Sequence, residues 1–103
     1  MLQKHGEIYM LDGRVLLPGL NYIQSFGKAL THFRKKKGAK QNELVVILGI
    51  EAPAISKIES GGSCANVVQL KLMCMFYDCT PQDVYDLAEE IFLASGELSS
   101  SKD

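Results

Sequence analysis

The sequence predicts an all-α fold, five short helices behind a short N-terminal β-hairpin. From Ile23 onward, apolar residues recur every three to four positions, the period of an amphipathic helix. Glycines and helix-start signals cut that pattern into five helix-sized pieces. The opening stretch GEIYMLDGRVLLPG departs from it, with Asp12-Gly13 between two apolar runs.

The elements follow in order. Asp-Gly suits a two-residue type I′ turn, which needs positive φ, so Ile8 to Leu11 and Arg14 to Leu17 read as a hairpin ended by Pro18-Gly19. An irregular arm packed on the helices is the alternative. An isolated hairpin is marginally stable in water, so it must pack on its own domain or pair with a second copy. Ile23, Phe26, Ala29, Leu30 and Phe33 form one face of the first helix, closed by cations (RKKK) and Gly38. The second is short, Gln41 to Leu48, stopped by Gly49. The third is entered through Pro53 in its first turn, where a missing N–H costs nothing, and leaves at Gly61-Gly62. Asn66 caps a fourth, VVQLKLMCMFY, whose Met and aromatic residues at helical spacing read as core. Thr80-Pro81-Gln82-Asp83 opens the fifth, with a capping Thr, a Pro at the first position and an acid in the first turn. Val84, Leu87, Ala88, Ile91 and Phe92 give it a wide apolar stripe. The expected organisation is therefore an arm over 1–22, a helical domain over 23–94 and a polar, disordered tail over 95–103. Helices two and three meet on so tight a turn that they must cross steeply.

Composition bounds what such a chain does. Its 103 residues suffice for one domain. No apolar run approaches the length of a membrane span, and MLQKHGEIYM lacks a signal-peptide pattern. Three cysteines, Cys64, Cys74 and Cys79, form no CxxC pair, which points to reduced thiols in a cytoplasm. Cys74 and Cys79 read as small buried thiols rather than a redox switch. His5 and His32 have no ligand-like spacing to the cysteines, so no metal or other cofactor is expected. Gly-rich phosphate loops and nucleophile motifs are missing too, which makes an enzyme the remotest reading.

Charge is unevenly spread. Ile23 to Gly62 carries Lys28, Arg34, Lys35, Lys36, Lys37, Lys40 and Lys57 against Glu43, Glu51 and Glu59, a net of +4. Ser63 to Asp103 carries a net of −5. The middle is suited to a polyanion and the last part to facing away from it. The RKKK cluster reads equally as a solvated helix end or as a phosphate contact.

In the register Gly27, Leu30, Arg34; Gln41, Leu44, Leu48-Gly49-Ile50; Ile55-Ser56-x-Ile58-Glu59-x-Gly61; Leu70; Thr80-Pro81, the sequence resembles the Xre/phage-repressor, lambda-repressor-like helix-turn-helix family. The resemblance implies a DNA-binding domain whose third helix enters the major groove. Carried over, Glu51, Ala52, Pro53, Ala54 and Lys57 face bases, with Ser56 on the same side. Gln41 meets a phosphate or a base edge. Ser63 and Asn66 grip the backbone, or simply cap and solvate. Glu59 is similar to the family's acid that pairs with the helix-one arginine, here Arg34, a buried pair that sets the angle of helix three.

Three departures stand out. Lys40 replaces the usual Ser or Thr cap of helix two, and Val45 the alanine preferred at the closest approach of two helices. EAPA offers few hydrogen-bond donors, so modest specificity is expected, with readout shared among Gln41, Lys57 and DNA shape. The expected function is a transcriptional regulator, a repressor, bound to double-stranded DNA as a homodimer on a palindromic operator. The dimer would form through the N-terminal hairpin or through helix five with Phe92 and Leu93. The alternative is an antitoxin or co-regulator on the same scaffold, whose main task is to bind another protein.

Overall fold

A computed structural model of the chain describes the backbone of residues 2–5, 8–11, 14–16 and 18–94, and side chains over 22–94. The Asp12-Gly13 turn and the 95–103 tail anticipated from the sequence lie outside the described residues. Among the described strands, β1 (Leu2–His5), β2 (Ile8–Leu11) and β3 (Arg14–Leu16) pair antiparallel in chain order, Leu2 opposite Leu11 and Leu11 opposite Arg14. β1 was not anticipated: LQKH has a single apolar residue, too little for a periodicity argument.

From residue 18 to 94 the described chain is all-α: α1 (Pro18–Lys37), α2 (Gln41–Leu48), α3 (Ala52–Ser60), α4 (Val67–Tyr77) and α5 (Pro81–Ala94). α1 starts five residues before the periodic pattern does. Pro18 is its first residue, a place where the ring's fixed φ and missing N–H cost nothing. Pro18-Gly19 therefore opens a helix rather than ending the arm. Tertiary contact supports the extra turn: Tyr22 packs against the core and meets Phe92 of α5 edge-on, ring centroids 5.7 Å apart.

The caps follow the local chemistry. Asn66 and Gln69 exchange side-chain bonds with each other's backbone N–H at the start of α4, at 2.7 and 2.9 Å. Thr80 and Asp83 do the same for α5, at 3.0 and 2.9 Å. At α2, where Lys40 has no acceptor to offer, Glu43 alone accepts from the Lys40 N–H. α4 ends on Asp78 in the left-handed conformation, φ 59°, a place sequence rules reserve for glycine.

Phe26, Ala29 and Leu30 of α1, Leu44 of α2, Ile55 and Ile58 of α3, Leu70, Met73, Cys74 and Tyr77 of α4, and Val84 and Ala88 of α5 close one core. The core reading of α4 holds for Met73 and Cys74 but not for Met75, which is 63% exposed. Val45 is half-buried against the core.

Cys74 and Cys79 are neighbours across the end of α4, where the Cys79 N–H donates to the Cys74 carbonyl at 3.0 Å. Burial raises the Cys74 thiol above its usual range and pushes Cys79 up to about 12. Both are therefore protonated thiols at neutral pH, and thiolate is the reactive form. Cys64 is exposed. A disulfide reagent at pH 8 should label one thiol per chain quickly and two slowly. Three equally fast thiols would contradict the packing of α4.

Candidate nucleic-acid interface

α2, the turn at Gly49 and α3 carry the candidate surface. Gly49 takes a left-handed φ of 69°, which swings the chain from α2 into α3 with only 49–51 between them. Ile55 and Ile58 bury one side of α3. That leaves Pro53, Ser56, Lys57 and Ser60 exposed on the other, with Ala52 and Ala54 half-covered between them.

A hydrogen-bonded chain fixes the two helices to α1. Arg34 Nε donates to Glu59 Oε2 at 2.7 Å and Nη2 to Oε1 at 3.1 Å, while Nη1 donates to the Ala39 carbonyl at 2.9 Å. The two side chains are 12% and 6% exposed, so the ion pair is mostly buried, as the resemblance implied. The hydrogen bond that Arg34 donates to Glu59, more than the carboxylate's charge, holds the Arg34 proton even more firmly than usual. The Tyr77 hydroxyl is buried, and desolvation first, then the Glu59 charge, keeps it protonated.

The chain continues outward. Gln41 Nε2 donates to Glu59 Oε1 at 2.8 Å, and Gln41 Oε1 accepts from Ser56 Oγ at 3.1 Å. Sequence reasoning set Gln41 and Ser56 side by side as surface contacts and missed that they are tied to the ion pair. Residues 15 and 18 positions apart give no periodic signal that they meet.

The other expected contacts sit as follows. Glu51 is exposed at the N-terminus of α3, and its side chain makes no capping bond. Lys57 is exposed and its carbonyl accepts from the Gly62 and Ser63 N–H groups, which folds the loop back beside α3. Ser63 is exposed. Asn66 is exposed as well, but its Oδ1 is committed to capping α4, leaving its amide N–H groups for other partners.

The RKKK cluster divides. Arg34 is taken by Glu59, and Lys37 meets Asp78 at the end of α4 at 2.7 Å. Lys36 and Lys37 line an open groove of about 610 Å³ whose opposite wall holds Asp83, Asp86 and Glu90 of α5. Lys37 so placed answers an acid of its own chain, while the exposed Lys28, Lys35, Lys40 and Lys57 are left to a polyanion.

Among the described residues no cluster of three His, Cys, Asp or Glu side chains forms a metal cage, and no helix is long and apolar enough to cross a membrane.

The chain is similar to the clp gene regulator ClgR from C. glutamicum, with a TM-score of 0.62 and 25% sequence identity over 67% of this chain and 90% of that one. It is also similar in fold to the restriction-modification controller protein C.AhdI from Aeromonas hydrophila, with a TM-score of 0.55 and 22% identity over 60% of this chain and 94% of that one. No protein-family model and no curated protein matches it.

Proposed function

We propose that this chain, similar in fold to two gene-regulatory proteins, is a lambda-repressor-like helix-turn-helix, DNA-binding transcriptional regulator that places the Pro53 end of α3 in the major groove. The observation that carries this reading is the exposed strip of Pro53, Ser56 and Lys57, held beside Gln41 by the buried Arg34–Glu59 pair. A strip of small residues lets the helix approach base edges closely, and one clamped in place loses little freedom on binding. Glu51, Ala52, Ala54 and Lys57 would meet bases, Gln41 a base or phosphate, and Ser63 and Asn66 the backbone. The similarity to the clp gene regulator, and the fold shared with the restriction-modification controller protein, support the assignment.

The finer parts of the proposal are repression, a cytoplasmic location and a homodimer on a palindromic operator with half-sites about 34 Å apart. The N-terminal hairpin, whose strand edges need a partner, is the favoured dimer contact. Phe92 of α5 is already engaged by Tyr22, although Leu93 is 42% exposed. In sedimentation the full chain should run as a dimer and the chain lacking Met1 to Pro18 as a monomer. A dimer in both would move the contact to α5, and a monomer in both would remove it.

Fluorescence anisotropy against duplex DNA from upstream of the chain's own gene tests the main reading. Binding should weaken steeply with salt, and Lys57→Ala should raise Kd about tenfold with Tm unchanged. Gln41→Ala should also weaken binding. Unlike Lys57→Ala it should cost about 1 kcal/mol of stability, since it removes a hydrogen bond to a buried carboxylate. Equal affinity for own and random duplex would overturn the regulator reading. It would favour a protein-binding role, for which Val46, Val67, Val68 and Met75, from 63 to 85% exposed on α2 and α4, supply apolar surface.

A further inference from the structure

We propose that Ser56 reads an exocyclic amino group in the major groove, adenine N6 or cytosine N4, because the buried ion pair dictates which way the hydrogen bonds ending on it must run. The proposal rests on the DNA-binding reading above and adds the chemistry of one base contact to it.

The direction of the chain is set from inside. Arg34 can only donate, and Glu59, ionised against it, can only accept. The group of Gln41 that meets Glu59 Oε1 must therefore be its NH₂, at 2.8 Å, because its carbonyl there would set two acceptors together. With the NH₂ turned inward, the Gln41 oxygen is what reaches Ser56, and an oxygen must be given a proton. The Ser56 hydroxyl supplies it at 3.1 Å. An amide side chain is ordinarily free to present either end; here a cation on another helix decides.

The consequence lies on the exposed surface. Ser56 has one proton, and it is spent on Gln41. What its oxygen shows to the groove is lone pairs. A lone pair accepts from the amino groups of adenine and cytosine and repels the O6 and N7 of guanine and the O4 of thymine. A serine with a free hydroxyl would take either kind of partner and discriminate poorly. This restores selectivity to a helix whose first turn, Ala52-Pro53-Ala54, has no side-chain donors. Glu51, another acceptor at the start of the same helix, adds the same preference. Gln41, in turn, keeps one amide hydrogen that no described residue takes, a donor for a neighbouring phosphate.

The test uses the full chain and a randomised duplex pool. Selection with wild type and with Ser56→Ala, an exposed change to a good helix former, identifies the base pair whose preference depends on Ser56. At that pair the amino-bearing base is replaced by its deamino analogue, purine for adenine or 2-pyrimidinone for cytosine. Wild type should lose about five- to tenfold in affinity, and Ser56→Ala nothing further. In Gln41→Ala the hydroxyl is released to donate, so the ratio between the selected duplex and one carrying a keto base, guanine or thymine, at that place should shrink to about twofold or less. A merely structural role of Gln41 would weaken both duplexes equally and leave the ratio unchanged, which would overturn the proposal. So would a neutral deamino analogue beside a costly 7-deazapurine, or a Ser56→Ala protein with every preference intact. A pool that yields no enriched duplex would overturn the DNA-binding reading itself, and this proposal with it.

Discussion

Glu59→Ala should remove about 3–5 kcal/mol of stability, the cost of leaving one member of a buried ion pair without its partner. The carboxylate takes two bonds from Arg34 and one from Gln41, and its side chain is 6% exposed. Alanine would leave a guanidinium that cannot shed its charge, still held by the Ala39 carbonyl but with water barely able to reach it. A chain of this length has roughly 5–15 kcal/mol in all, so Tm should fall by more than about 10 °C. Urea unfolding followed by circular dichroism measures the loss. The double variant Arg34→Met, Glu59→Met should recover most of it, since a buried pair exchanged for apolar groups of similar volume is often neutral. A thermally neutral Glu59→Ala would mean that the pair does not hold α3 to α1.

Gly27→Ala should also be damaging, though less so and for a different reason. A Cβ built on Gly27 would stand 2.5 Å from the Ile58 carbonyl oxygen and 2.6 Å from that of Glu59. Both are backbone atoms of α3, so no side chain can swing away, and α1 and α3 must part. Such overpacking costs about 1–3 kcal/mol, against a gain of about 1 kcal/mol from placing alanine in a helix interior. The site is severe enough to expect a net loss of about 2 kcal/mol in urea unfolding. Because the separation also tilts α3 and pulls Glu59 from Arg34, DNA affinity should fall by more than the folded fraction explains. Gly38→Ala is the control. Its φ of +81° is unsuited to alanine but nothing lies within 4 Å, so it should cost about 1 kcal/mol and leave binding alone. A Gly27→Ala protein as stable as wild type would show that the helices tolerate a wider spacing.

Most of the helical frame was legible because its signals are local. α2 and α4 fall where periodicity and glycine or asparagine punctuation put them, and Thr80-Pro81 marks the start of α5. The Arg34–Glu59 pair was legible only through the family register, since 25 residues separate the two. The misses are of one kind. Pro18-Gly19 looks like a stop when read alone, and only the contact of Tyr22 with α5 shows why a helix can begin there. Asp78 ends α4 in the left-handed conformation without a glycine to signal it, and Lys37 reaches it from the end of α1. That contact removes one lysine of RKKK from the list of phosphate contacts. The link from Arg34 through Glu59 and Gln41 to Ser56 needs three helices brought together before it exists. Each residue of that site was visible in the sequence, and their mutual orientation was not.

A backbone amide titration by NMR, with the duplex selected from the random pool, tests most directly whether α3 meets DNA. Shifts should concentrate at Gln41, at Glu51 to Lys57 and at Ser63, with α5 from Asp83 to Glu90 unmoved. Shifts confined to α5 and the groove it forms with Lys36 and Lys37, with Gln41 and Ser56 silent, would contradict the assignment of this face to DNA.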